Sequence, residues 1–269
     1  MRPFDGCWQR IERAKAHRDA LAEAWNTFIK DEHYSIRVRM ERDGTGRIFI
    51  RPKFPALPPI FSLEFGEMIY QLRAALDGCI YQAAILETNR NPPPDEDYLE
   101  FPICATPKNF KNARRCIAPL PKDVRAFIKS IQPYNAPKIV PLNRALGILH
   151  DWARKDRHRY LHVLGSWASK VSPQLRLPNG VSLASMVVTG SAFLKDESEI
   201  ARFTLNGYIP GMEIKANPNL AIDISVDEAT PACAASDTFN LRTFNIFFFV
   251  EVIVGAFESF FSAKKVTKI

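Results

Sequence analysis

Three features of this 269-residue chain predict an α+β fold. Apolar residues recur at helical spacing over 7–31, 62–87 and 142–164. From residue 171 onward the runs SLASMVVTGSAFL, ARFTLNGYI, MEIKANPN and LAIDISV are alternating or β-branched and are separated by Gly, Pro and Asn. A Phe-rich stretch, 244–262, then returns to helical character. Helices first, an antiparallel sheet next and a closing helix form an α+β order.

The first helix follows from Trp8, Ile11, Ala14, Leu21, Trp25, Phe28 and Ile29. The period then becomes two: Tyr34, Ile36, Val38 and Met40 alternate with Ser35, Arg37, Arg39 and Glu41. An Asp43–Gly44 turn leads into Arg47–Ile48–Phe49–Ile50–Arg51, so 34–51 reads as a hairpin. If its aliphatic side is buried, Arg37, Arg39, Arg47 and Arg51 share the outer face with Phe49, a pattern suited to a phosphate backbone. A solvated strand face would show the same pattern.

After the proline-rich 52–61, the segment 62–87 is the clearest helix. Ser62 is its expected cap, and Phe65, Ile69, Leu72, Leu76 and Ile80 form its apolar stripe. Arg73 and Asp77 stand four apart and can pair along one face. FPI at 101–103 is an expected short strand. The expected organisation is a mainly helical portion, 1–165, with the hairpin inserted, and a β region, 166–269, packed with helix 244–262. Together they form one compact unit.

The five cysteines are scattered without a CxxC, which excludes a disulfide framework or a structural zinc site. The opening MRPFDGCWQRIERAK has neither an apolar stretch nor a small-residue cleavage site, so a cytoplasmic location is expected. Glu251 and Glu258 lie on one face of 244–262, which favours a buried helix over a membrane span.

Charge is distributed unevenly. The net +7 resides in one segment: 105–170 holds 14 cations against Asp123, Asp151 and Asp156, while the flanking regions are each slightly acidic. Such a block suits a polyanion, nucleic acid foremost, and Lys111, Arg114, Arg115, Arg154 and Lys155 are its candidate contacts, with Arg37 and Arg39 of the hairpin. A solvated basic surface is the alternative.

Three of the five histidines fall within 150–162, HDWARKDRHRYLH. On a continuous helix Asp151, His158 and His162 come within about 40° of one another. A metal site on His158 and His162 lacks a third ligand and is opposed by neighbouring cations, so neither metal nor cofactor is expected. Metal-free chemistry needs only a near-neutral histidine to move a proton at an RNA 2′-hydroxyl and an arginine to hold the phosphate. Arg157, His158 and His162 supply that set. A helix end capped by His and Arg would look the same.

The spacing of Arg157, His158 and His162 resembles the signature of HEPN-type domains. That resemblance implies a helical, usually dimeric, metal-independent ribonuclease of toxin–antitoxin, CRISPR or phage-defence systems. Separately, GEMIYQLRAALDGCIYQ (66–82), FPI (101–103), QPY (132–134) and DRHR (156–159) resemble an uncharacterised bacterial family with the pattern GExLYxLRxALDH…FPI…QPY…DKHR. The family's LDH reads Leu76-Asp77-Gly78 here, so one candidate histidine is absent. On this resemblance Arg73 and Asp77 face Asp156, His158 and Arg159 in one polar cluster.

The expected function is therefore nucleic-acid-directed: a metal-independent endoribonuclease of a bacterial defence or toxin system. It would act on RNA without a membrane, as a homodimer or with a protein partner. The alternatives are a non-catalytic binding or scaffold protein, whose Arg73/Asp77 and Asp156/His158 cluster is structural, and an enzyme acting on a small anionic metabolite.

Overall fold

The computed structural model describes residues 2–28, 34–52, 58–135, 141–158, 163–188, 192–193, 197–217, 220–226 and 239–266. Its helices are α1 (Asp5–Phe28), α2 (Ile60–Thr88), α3 (Pro107–Asn112), α4 (Lys122–Ser130), α5 (Pro141–His158) and α6 (Phe239–Val266). Its strands are β1 (Tyr34–Met40), β2 (Thr45–Pro52), β3 (Val163–Val171), β4 (Gln174–Arg176), β5 (Ser182–Val188), β6 (Ala192–Phe193), β7 (Ser198–Asn206), β8 (Lys215–Asn217) and β9 (Leu220–Val226). The fold is α+β, as its sequence predicts.

Contacts divide the chain into two units. One comprises Met1–Ala22, Ser62–Leu161 and Asn240–Ile269, and the other Glu23–Phe61 and His162–Phe239. This differs from the expected halves, 1–165 and 166–269, at both ends. The hairpin belongs to the β unit, and α6 belongs to the helical one.

In the helical unit, α2 buries Phe65, Ile69, Leu72, Leu76 and Ile80 completely, so the predicted stripe is the core face. Its first turn starts earlier than expected, at Ile60. Phe61 N–H donates to Pro58 C=O (3.1 Å), which leaves Ser62 inside the helix rather than at its cap. The C-terminal helix packs Phe257 against Phe4 (6.1 Å between centroids) and Phe260 against Phe127 (5.5 Å). Glu251 pairs with Lys15 of α1 at 2.9 Å, and Arg18 lies 5.3 Å over the Phe247 ring. The α6 stretch Phe239–Ser262 is long and apolar enough to span a bilayer; its most apolar 18 residues have mean hydropathy 1.7, and 44% of them are buried.

In the β unit, four antiparallel strands run in the order β1-β2-β7-β5. Hairpin register pairs Ile36 with Ile50, Val38 with Ile48, Arg37 with Phe49 and Arg39 with Arg47. Period-two alternation therefore sends Val38, Met40, Ile48 and Ile50 inward and the arginines outward, while Ile36, at the start of β1, is exposed. Ile48, Ile50, Ala201, Phe203 and Leu205 form the core, closed by Leu175, Leu177, Ile214 and Tyr208 from the unit's own connections. Two smaller antiparallel sheets, β6-β3-β9 and β4-β8, complete the unit.

Candidate functional site

The polar residues singled out on α2 serve a stretch of backbone. Arg73 and Asp77 pair at 3.1 Å. Asp77 Oδ1 accepts the Phe101 N–H (2.8 Å), while Arg73 Nη2 donates to the Phe101 C=O (2.6 Å). From the end of α4, fully buried Gln132 takes the other end of the same segment. Its Oε1 accepts the Cys104 N–H (2.9 Å), and its Nε2 donates to the C=O of Pro102 (2.8 Å) and Ile128 (3.0 Å). Residues 101–104 are buried and belong to no helix or strand among the described residues, so the expected strand is absent and these side chains satisfy its backbone groups in place of a β ladder. The segment 101–103 is thus held by side-chain brackets. Gln132 opens the QPY motif, but a glutamine before Pro-Tyr carries no local sign that it is buried or that it brackets another segment's backbone.

The groups around this bracket are poor nucleophiles. Burial and the Glu100 carboxylate raise the Cys104 thiol, with Arg73 opposing. Burial likewise raises Cys116, whose Sγ–H donates to Glu100 Oε1 at 3.7 Å. Thiols held protonated do not attack. Arg73 Nη1 and the Tyr134 hydroxyl are buried without a hydrogen-bond partner among the described residues.

Asp156, on α5, meets a different place on α2. Its carboxylate oxygens lie 2.8 and 2.9 Å from the point where a Cβ on Gly66 would stand. One turn back on α5, Trp152 meets Phe65 edge-on at 5.1 Å, which fixes this crossing. Burial first, and then the charge of Glu67, push the Asp156 carboxyl above its ordinary value. Nearby on α2, Glu64 Oε2 meets His17 Nδ1 at 2.7 Å. Gly66 and Asp77 are about 16 Å apart along the helix axis, so the expected single cluster of Arg73, Asp77 and Asp156 is two separate sites.

Arg157 and His158 lie in the final turn of α5. The helix ends at His158, short of the expected 164, and β3 begins at Val163. Arg159 and His162 lie outside the described residues. The aliphatic VLGSWASKV run favours the strand over a longer helix. Among the described residues, no group of three or more His, Cys, Asp or Glu side chains forms a metal site.

The basic residues fall in both units. In the helical unit Lys108, Lys111, Arg114 and Arg154 are exposed and make no ion pair among the described residues, and Lys155 is half-buried. Arg115 differs: it pairs with Asp95 at 3.1 Å and lies 3.4 Å over the Tyr98 ring, and the Asp95 carboxylate raises it further. In the β unit Arg39 contacts Glu197 (3.2 Å) and lies 4.7 Å over Phe49, and Arg37 approaches Glu197 at 3.7 Å. Glu197 and Arg202, both engaged on this face, were not signalled by the sequence, because their strand lies far along the chain from the hairpin. Comparison with known protein families, with curated proteins and with solved structures returns no match.

Proposed function

We propose that this protein is nucleic-acid-directed and that the helical unit binds RNA through Lys108, Lys111 and Arg114. One observation carries the reading. These cations stand exposed within one short stretch, with no carboxylate bound to them among the described residues. Exposed cations that take up phosphates release counterions on binding, and those without a carboxylate do so with no ion pair to break first. A cytoplasmic setting in a bacterial defence or toxin system belongs to the same proposal.

Cleavage is its finer form. Arg157 would stabilise the scissile phosphate and His162 or His158 would move the proton. Asp156, directly before Arg157, adds a carboxyl whose hold on its proton is strengthened by burial and by the Glu67 charge. The rival is a non-catalytic binding module. Arg73, Asp77 and Gln132 favour it, since their hydrogen bonds go to backbone.

The test is RNA binding and cleavage in EDTA by wild type, K108Q/K111Q/R114Q and H158A/H162A. The lysine–arginine variant should bind more weakly, with a salt slope about 2 smaller for three lost phosphate contacts. Unchanged binding and slope would refute the basic-segment reading. Cleavage lost in a folded histidine variant would establish the endoribonuclease, and binding without cleavage would establish the module.

A further inference from the structure

The four-stranded sheet carries its own basic face, distinct from the helical unit's cations. Register places Arg39 beside Arg47 on β1 and β2, Arg47 beside Arg202 on β7, and Arg202 beside Val187 on β5. A second row runs Arg37, Phe49, Glu199. Neighbouring strands lie about 4.8 Å apart, so the first row starts three arginine side chains from backbone positions that span about 10 Å. The opposite side of the same strands is core, so the outward direction of these residues is fixed by burial of Ile48, Ile50 and Phe203.

Among the described residues, Glu197 and Glu199 are the carboxylates paired with these arginines. Glu197 meets Arg37 and Arg39, and Glu199 meets Arg202. Among the described residues, Arg47 and Arg51 also lie on the outer side of β2. Arg47 Nε is buried and has no hydrogen-bond partner among the described residues. Phe49 sits in the middle, half-buried, with the Arg39 guanidinium over its ring. Val187, 70% exposed, leaves the β5 end open and apolar.

We infer that this outer sheet face, Arg37, Arg39, Arg47, Phe49 and Arg202, is a binding surface for single-stranded RNA. A flat row of arginines with an aromatic among them matches a strand whose phosphates and unstacked bases alternate along one path. Phosphates take the place of the two carboxylates as acceptors, and the guanidiniums and Phe49 offer planes on which bases stack. A duplex offers phosphates without exposed base faces and would leave Phe49 unused. The inference rests on the nucleic-acid reading above but uses different residues, in the other unit.

The experiment measures binding of fluorescein-labelled oligouridine by fluorescence anisotropy across a salt series. The proteins are wild type, R37Q/R39Q/R202Q, F49L and K108Q/K111Q/R114Q, each checked for fold by far-UV circular dichroism. The sheet triple variant should lose at least about tenfold in affinity, with a slope about 2 smaller. F49L should lose about tenfold with its slope unchanged, since stacking releases no counterion. If both sheet variants bind like wild type while the helical-unit variant weakens, the sheet face is refuted and the RNA reading stands. If wild type fails to bind, both fall. Inorganic polyphosphate binding as tightly as oligouridine would also overturn the inference, because it has no base to stack.

Discussion

The carboxyl of Asp156 on α5 rests against the backbone of Gly66 on α2, with both oxygens within 3 Å of the point where a side chain would begin. Glycine lets the carboxylate come this close, because a Cβ here would meet both of its oxygens. Gly66→Ala should push Asp156 and the last turn of α5 away, at a cost of about 1–3 kcal/mol typical of overpacking, despite alanine's better helix propensity. Urea denaturation checks this. A variant as stable as wild type would show that α5 yields without cost.

Asp156 also makes stability depend on pH, and the sign is set by its raised carboxyl. The folded state keeps a proton that the unfolded chain releases. Its stabilising contribution is complete below the unfolded carboxyl value, about 3.9, and is lost as pH rises through the folded value. At neutral pH the ionised group therefore opposes folding. Asp156→Asn should melt higher than wild type at pH 7, and the difference should shrink towards pH 4. A lower melting temperature at pH 7 would mean that the ionised carboxylate is held by a favourable partner.

Gln132 makes three hydrogen bonds to backbone from a fully buried position. Gln132→Ala leaves the Cys104 N–H and the Pro102 C=O without those partners, at about 1–3 kcal/mol for each group left unpaired inside the protein. The expected result is a loss of about 3 kcal/mol in urea with RNA affinity unchanged once the protein is kept folded. Lost affinity in a folded variant would place the 101–104 segment in the binding site.

These elements also show where sequence is informative. The inward face of the hairpin was legible because period-two alternation is local: Ile48 and Ile50 alternate with Arg47, Phe49 and Arg51 whatever the strand pairs with. Its second neighbour, β7, was not, because that pairing joins residues far apart in the chain. The α2 stripe was legible for the same local reason. The partners of Arg73 and Asp77 were not, since an i,i+4 pair looks identical whether it bonds to side chains or to the backbone of Phe101. Gly66 was an unused signal. A glycine inside the clearest helix costs about 1 kcal/mol against alanine and marks a close approach, which Asp156 makes. The histidine element was legible only as residue types, because its geometry depends on how the chain leaves α5.

The arginine face depends on the sheet keeping its register, and Gly46 is where that register is most exposed to substitution. On β2 it stands opposite Met40 of β1 and Phe203 of β7. A Cβ there would overlap the Phe203 ring and come within 2.6 Å of Met40 Sδ. Met40 is flexible and can swing aside. Phe203, 2% exposed, is enclosed by core residues and cannot move without disturbing them. Gly46→Ala should therefore cost about 2–3 kcal/mol in urea. Removing the obstacle should restore part of that loss. Phe203→Leu destabilises the wild-type background by leaving a void, but in the alanine background the smaller side chain makes room for the new methyl group. A double-mutant cycle should thus give a favourable coupling of at least about 0.5 kcal/mol. Strictly additive effects would show that the ring is not what the glycine accommodates.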